Sequence, residues 1–384
     1  MSKLSHCISI QELRELAKKK VPSVIFDYID GGSEDELTLG RNEDSFRTYE
    51  FVPKTLVDVS EIDLSTNFQG TEIDLPIISA PTGMSRMFHH EGERAVVRAT
   101  HKMGTAYCLS TVSTCSIEEV AEASDGSDFF QIYAWQDQQM IGDFIERCKR
   151  SGYKGLMLAV DMPELGKRER DLRNGHGRPR ELKKNMALSA LRKPRWLYHF
   201  VTKPTWVMAN MIEHLPHGAQ TTKVIAEVNG QFSASVTWED AAAMMKSWNG
   251  KFMLKGIQCV EDAVKAAEMG ASGIVLSNHG GRQLDGAPAA MAILPEVIAA
   301  VGNKLEVIID GGIRRGSDVI KALALGATGC LIGRPYLYGL AAGGEPGVLK
   351  AYEILKEEMI RVMKLIGCAS IKDLDASFVR KRRD

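Results

Sequence analysis

No run in this chain approaches the roughly eighteen consecutive apolar residues of a membrane span. The opening stretch, MSKLSHCISIQELRELAKKK, has no apolar core of the kind a signal peptide needs, so none is expected. Seven cysteines are scattered without a CxxC pair. An odd, dispersed set argues against a disulfide framework or a zinc site and fits reduced thiols in a cytosolic setting. Charge of one sign is missing too: Lys+Arg number 48 against Asp+Glu 49, for a net charge of −1. That argues against a nucleic-acid binder and leaves any basic surface local. No GxGxxG follows the first apolar run, which counts against a dinucleotide-binding open sheet. No His/Asp/Glu cluster has metal-ligand spacing. HHEGE (89–93) resembles one superficially and reads as the opening of a helix. These absences leave a soluble or peripheral protein, and 44% apolar residues supply a core for a single domain spanning 1–384.

What is present is a repeated alternation. Short apolar runs at 75–81, 105–110, 128–133, 155–161, 252–256, 273–278, 306–310 and 329–333 alternate with helical patterns. The SIEEVAEAS helix opens with Ser116 and Glu119 in capping-box spacing. A long irregular stretch follows the fourth run. Continuous apolar strands predict parallel pairing with helices outside, and eight such units predict a (β/α)8 TIM barrel over about 75–366. A doubly wound sheet is the alternative.

In such a barrel, reactive groups sit at the C-terminal strand ends. Here those ends carry Thr82, Gly83, Ser110, Gln131, Tyr133, Asp161, Lys255, His279 and Asp310. The last two exits, DGGIRRG and GRP, combine glycine-freed amides with Arg314 and Arg334, which suits a phosphate. His279, in SNHGGRQLDG, is the natural proton acceptor, and Asp161 a partner that orients it. Arg168 and Arg282 can grip a carboxylate, and Lys255 adds positive charge. The plainer alternatives are a structural His279, a surface pair between Arg282 and Asp285, a turn-capping Asp161, and glycines serving only turns. Asp285 has no assigned role.

SNHGGRQLDG resembles the active-site signature of the FMN-dependent α-hydroxy acid oxidase and dehydrogenase family. The resemblance extends from VPSVIFDYIDGGSEDELTL through APTGM, LSTVST, FFQIY and VDMPELGKRERD to DGGIRRGSDVIKALALGA and IGRPYLYGLAAGGEPGV. It implies oxidation of an (S)-2-hydroxy acid to the 2-oxo acid with bound FMN as electron acceptor. By this resemblance Tyr28, Arg168 and Arg282 bind the substrate carboxylate and Tyr133 its hydroxyl. His279 is the base, with Asp161 its partner, and Lys255 stands at the flavin N1/O2 edge. Pro81, Thr82, Gly83, Ser110, Gln131 and Ser277 belong to the flavin surroundings. Asp310, Gly311, Gly312, Arg314, Gly333 and Arg334 belong to the ribityl and phosphate site. A homotetramer is also implied. The second electron acceptor would be a quinone or cytochrome; the alternatives are oxygen, giving hydrogen peroxide, and an FMN-dependent isomerase.

Three positions depart from the glycolate oxidase pattern. Ala159 replaces a flavin-contacting threonine, Val112 replaces a tryptophan, and Gly83 lacks the methyl of an alanine. The last two leave room for lactate or a bulkier, mandelate-like acid. The insertion at about 172–236 is longer than ordinary loops. From Arg178 to Lys203 it holds eight Lys/Arg against one acid, interleaved with Trp196, Tyr198 and Phe200, with Trp206 beyond. A basic, aromatic segment at 178–206 suits attachment to a membrane surface, expected on the cytoplasmic face of the inner membrane. A mobile lid or a solvated loop is the alternative. The RKRRD tail reads as a frayed end.

Overall fold

The computed structural model describes residues 3–124, 128–176, 178–203, 207–214 and 232–382. The apolar runs form strands β1 (Ile77–Ser79), β2 (Cys108–Ser110), β3 (Phe129–Tyr133), β4 (Gly155–Ala159), β5 (Lys251–Ile257), β6 (Gly273–Leu276), β7 (Glu306–Asp310) and β8 (Gly329–Ile332). All pair in parallel in one sheet, each with its sequence neighbour from β2 to β8, and β8 pairs back onto β1. A bridge between Ser79 and Tyr107 joins β1 to β2, closing the ring. The doubly wound alternative is thereby excluded.

Alternation along the strands separates two cores. Ile78, Cys108, Phe129, Met157, Met253, Val275, Ile308 and Leu331, one from each strand, fill the barrel interior. Their chain neighbours, such as Leu109, Phe130, Ile274 and Ile309, pack outward in the larger core under the helices. The capping box of Ser116 and Glu119 forms as the spacing predicts, and HHEGE leads into the helix Gly92–Lys102.

A hairpin of Thr66–Phe68 and Thr71–Ile73 closes the N-terminal mouth of the barrel. Phe68 enters the interior core and meets Phe129 edge-on at 4.9 Å. At the opposite mouth lie three N-terminal helices: α1 (Ile10–Lys20), α2 (Ser23–Asp30) and α3 (Leu37–Asp44). Asp30 anchors α2 there through Arg14 (2.6 Å), Arg170 (3.0 Å) and Tyr338 (2.8 Å). Burial works against the Asp30 charge, but these three donors win and hold its pKa down to about 2.

Two readings of the sequence change. The tail is not frayed through Lys381, because Val379–Lys381 pairs antiparallel with Tyr49–Phe51. The long stretch after the fourth run is not wholly irregular: it contains helices Glu169–Arg173, Pro179–Ala190 and Pro194–Thr202 and a 3-10 turn at Ala209–His214. Trp206 lies outside the described residues.

Candidate active site

The turn after β6 determines the site. His279, Gly280 and Gly281 take φ values of 58°, 63° and 73°, a run of three left-handed residues. Glycine adopts this conformation readily, whereas for a side-chain-bearing residue it costs about 1–2 kcal/mol. His279 is held in it by its surroundings: its amide donates to Ser277 Oγ (3.0 Å), and Asn278 exchanges two side-chain hydrogen bonds with Asn42 of α3 (2.7 and 2.8 Å). Asp285 accepts from the Leu37 and Thr38 amides (3.2 and 2.7 Å), capping a helix whose own N-cap residue supplies no side chain. Asp285 therefore does not pair with Arg282. The turn and α3 form one tied unit.

The result is a cleft at the C-terminal strand ends with about 960 Å³ of free space, part of it open to solvent. His279 Nδ1 lies 3.1 Å from Asp161 Oδ2 and 3.2 Å from Oδ1. A carboxylate on Nδ1 fixes that nitrogen as the N–H and leaves Nε2 as the acceptor. Burial pushes the His279 pKa below its ordinary 6.5, although Asp161 pulls it upward. Asp161, whose side chain is 1% exposed, is held ionised against its burial by His279 and Lys255.

Lys255 reaches the cleft through a bulge in β5 between Lys255 and Ile257, where Gly256 takes φ 112°. It lies 2.8 Å from Asp310 Oδ2 and donates to Ser277 Oγ. Burial works against its charge, but Asp310 and Asp161 raise its pKa and keep it protonated.

The arginines are the opposite case. Among the described residues no carboxylate pairs with Arg168, Arg282 or Arg334. Arg282 donates to the carbonyls of Tyr28 and Gly31 through Nη1 and stands over the Tyr28 ring at 5.0 Å. Arg334 bonds the Ile29, Gly31 and Gly280 carbonyls. Burial and the charge of Arg282 press the Arg168 pKa down to about 10. Desolvated cations left without counter-charge favour an anionic ligand.

The cleft gathers Tyr28, Pro81, Thr82, Gly83, Val112, Tyr133, Arg168, Lys255, His279, Arg282 and, along its other flank, Asp310, Gly311, Gly312, Arg314, Gly333 and Arg334. Asp161, Ser110, Gln131 and Ser277 stand behind these walls. Arg314 is engaged with Glu43 at 2.9 Å. Sequence reasoning missed Phe88, which lines the cleft, and His176, whose ring lies nearly parallel to that of Tyr28 (8°, 6.1 Å). No local signal in the sequence marks either residue.

Two buried atoms lack partners in a way that suits a flavin nucleotide. Gln131 Nε2 is a donor and Asp310 Oδ1 an acceptor, and neither has a hydrogen bond among the described residues. Leaving each so costs about 1–3 kcal/mol unless a ligand satisfies it. Gly312, at φ 81°, would drive a Cβ to within 2.0 Å of the Asn42 carbonyl oxygen, so that loop must stay bare. The residues fit the group. No cluster able to hold a metal ion occurs among the described residues.

A cleft of this composition at the rim of a closed barrel defines a flavin-dependent oxidoreductase. The family model for FMN-dependent dehydrogenases matches residues 17–381, and the chain belongs to that family. It is 40% identical over 382 residues to a putative L-lactate dehydrogenase of Mycobacterium tuberculosis, covering 99% of this chain and 91% of that protein. It is also 40% identical to an L-lactate oxidase of Nostoc sp., covering 99% and 100%. Among solved structures, the monotopic membrane protein (S)-mandelate dehydrogenase superposes with a TM-score of 0.93 at 36% identity, covering 98% of this chain and all of that one.

Proposed function

We propose that this enzyme oxidises an (S)-2-hydroxy acid, L-lactate or a mandelate-like acid, to the 2-oxo acid. The observation that carries the reading is the convergence of two carboxylate-free arginines with an aspartate-oriented imidazole in one cleft. Arg168 and Arg282 take the substrate carboxylate and Tyr28 closes on it from α2. The Tyr133 phenol, its pKa pushed up to about 12 mainly by burial, stays protonated and donates a hydrogen bond to the substrate. His279 Nε2 accepts a substrate proton, and Asp161 stabilises the imidazolium that results. Lys255 keeps a positive charge beside the pocket without taking part in proton transfer. Gln131, Lys255, Asp310, Arg314, Arg334 and the Gly311–Gly312 amides would hold FMN, which when bound would supply the two-electron acceptor.

Gly83 and Val112 set the size of the substrate side. A Cβ on Gly83 would lie 2.6 Å from Val112 Cγ2, so the two are packed in register and leave the space above them to substrate. The inserted segment supports attachment to a membrane surface and a quinone or cytochrome as second acceptor. Leu188, Leu191, Tyr198 and Val201 are 56%, 70%, 63% and 73% exposed on, or at the end of, helices that carry an excess of Lys and Arg. No described helix is long and apolar enough to cross a membrane.

Anaerobic addition of L-lactate and of (S)-mandelate to the flavin-loaded enzyme tests the reading. Bleaching of the flavin absorbance by either acid is expected, and failure with both contradicts it. Slow recolouring in air with fast recolouring by a quinone identifies a dehydrogenase; fast recolouring in air identifies an oxidase.

A further inference from the structure

Phe88 also lines a second, larger cavity, with about 1230 Å³ of free space, part of it open to solvent. It lies between the end of α1, the loop after β1 and the start of the Pro194–Thr202 helix. Its charge is of one sign: Lys19, Lys20, Arg86, Arg192, Lys193 and Arg195 border it, and among the described residues no aspartate or glutamate does. Three of these cations are already engaged. Arg86 pairs with Glu119 at 3.1 Å, Lys20 donates to the Ala342 carbonyl, and Lys193 donates to the Lys19 carbonyl at 2.7 Å. Lys19, Arg192 and Arg195 have no carboxylate partner among the described residues.

Deeper in, His90 packs between His89 and His199, with ring centroids 4.4 and 4.5 Å apart. Burial, with the neighbouring rings and Arg195, holds the His89 pKa down to about 4. That ring is therefore neutral near pH 7 and offers an N–H donor without adding to the repulsion. His199 Nδ1 is buried and has no partner among the described residues. Trp196 and Phe200, stacked at 4.7 Å, supply an apolar wall.

Donors thus approach from α1, from the link between the two inserted helices and from the imidazole cluster. Three directions match a tetrahedral oxyanion better than a planar carboxylate, for which two suffice. We propose that this cavity is a binding site, separate from the catalytic cleft, for a phosphate ester. Lys19, Arg192 and Arg195 hold the oxyanion, and Trp196 and Phe200 receive the organic part. The ester is either a lipid headgroup or a free phosphate compound. The lipid source, though not the site itself, rests on the membrane reading of the inserted segment.

Calorimetric titration of the flavin-loaded full chain with glycerol 1-phosphate tests the site, with glycerol as the uncharged control. Saturable binding of the phosphate alone is expected. Lys19→Gln/Arg192→Gln/Arg195→Gln should weaken it at least about tenfold, as losing charge-assisted bonds requires, and Arg195→Gln alone should weaken it less. Leu188→Ser/Leu191→Ser should leave it unchanged. Co-sedimentation with phosphatidylglycerol vesicles separates the sources. If vesicles displace glycerol phosphate as the protein sediments, the ester is a lipid headgroup. If glycerol phosphate binds and no vesicle sediments the protein, the site stands with a free phosphate ester and the membrane reading fails. Absence of saturable binding, or undiminished binding in the triple variant, overturns the proposal.

Discussion

The two mouths of the barrel are built from the same eight strands and settle their polar groups in opposite ways. At the N-terminal mouth the polar groups satisfy one another. The Gln69 amide donates to Glu306, its side-chain Nε2 donates to the Ser272 carbonyl, and Ser272 Oγ donates to Gln69 Oε1 and accepts from the Phe252 amide. At the C-terminal mouth, Arg168, Arg282 and Arg334 stand without carboxylates among the described residues, Gln131 and Asp310 keep orphaned atoms, and His279 sits in a left-handed conformation. One mouth closes on itself. The other is complete only with ligands, and that incompleteness carries the functional argument.

The comparison breaks most visibly if His279 is replaced. His279→Gln should lower flavin reduction by about 10²–10⁴-fold, the usual contribution of a positioned base, while flavin content stays that of the parent. A normal rate would remove the chemistry from this mouth. At the other mouth, Phe68→Ala should cost about 3–5 kcal/mol of stability, read by denaturant unfolding, with turnover per folded enzyme unchanged. Loss of turnover in a fully folded Phe68→Ala protein would mean that the two ends are not separable.

Smaller changes sharpen the picture. Gly83→Ala must displace Val112, and overpacking of this kind costs about 1–3 kcal/mol. KM should rise more for mandelate than for lactate, and Val112→Ala in the same chain should reverse the effect. Equal penalties for both acids would remove Gly83 and Val112 from substrate selection. Asp285→Ala should cost about 1 kcal/mol through the lost cap on α3. A change in substrate KM with no loss of stability would assign Asp285 to the cleft instead.

Much of this was legible in the sequence because the signals were local. Runs such as GIVL and EVIID are apolar on both faces, as strands between an interior core and a helical layer must be, so the barrel and its reactive rim could be read directly. The hairpin that plugs the barrel was not, since its strands are three residues long and Phe68 acquires meaning only against Phe129. Asp285 reaches α3 across 247 residues, and no spacing announces that bond. The tail misled because exposed Arg380 and Lys381 look frayed, although backbone pairing with Tyr49 and Glu50 orders them. Ala159 ends β4 beside Tyr133 and Lys255, buried and without a hydroxyl to offer. What the sequence could supply was residue types at strand ends. What it could not supply was which of them remain unpaired.

The most direct test of the account is the pH dependence of anaerobic flavin reduction by (S)-mandelate, followed by rapid mixing. His279 accepts a proton only when neutral, and its burial places its pKa below 6.5. The rate constant per unit of substrate should therefore be level at neutral pH. It should fall as pH drops through a midpoint below 6.5, approaching about tenfold per pH unit, and Asp161→Asn should move that midpoint lower by removing the charge that favours imidazolium. A rate that stays flat across the whole range in which an imidazole titrates would contradict His279 as the base.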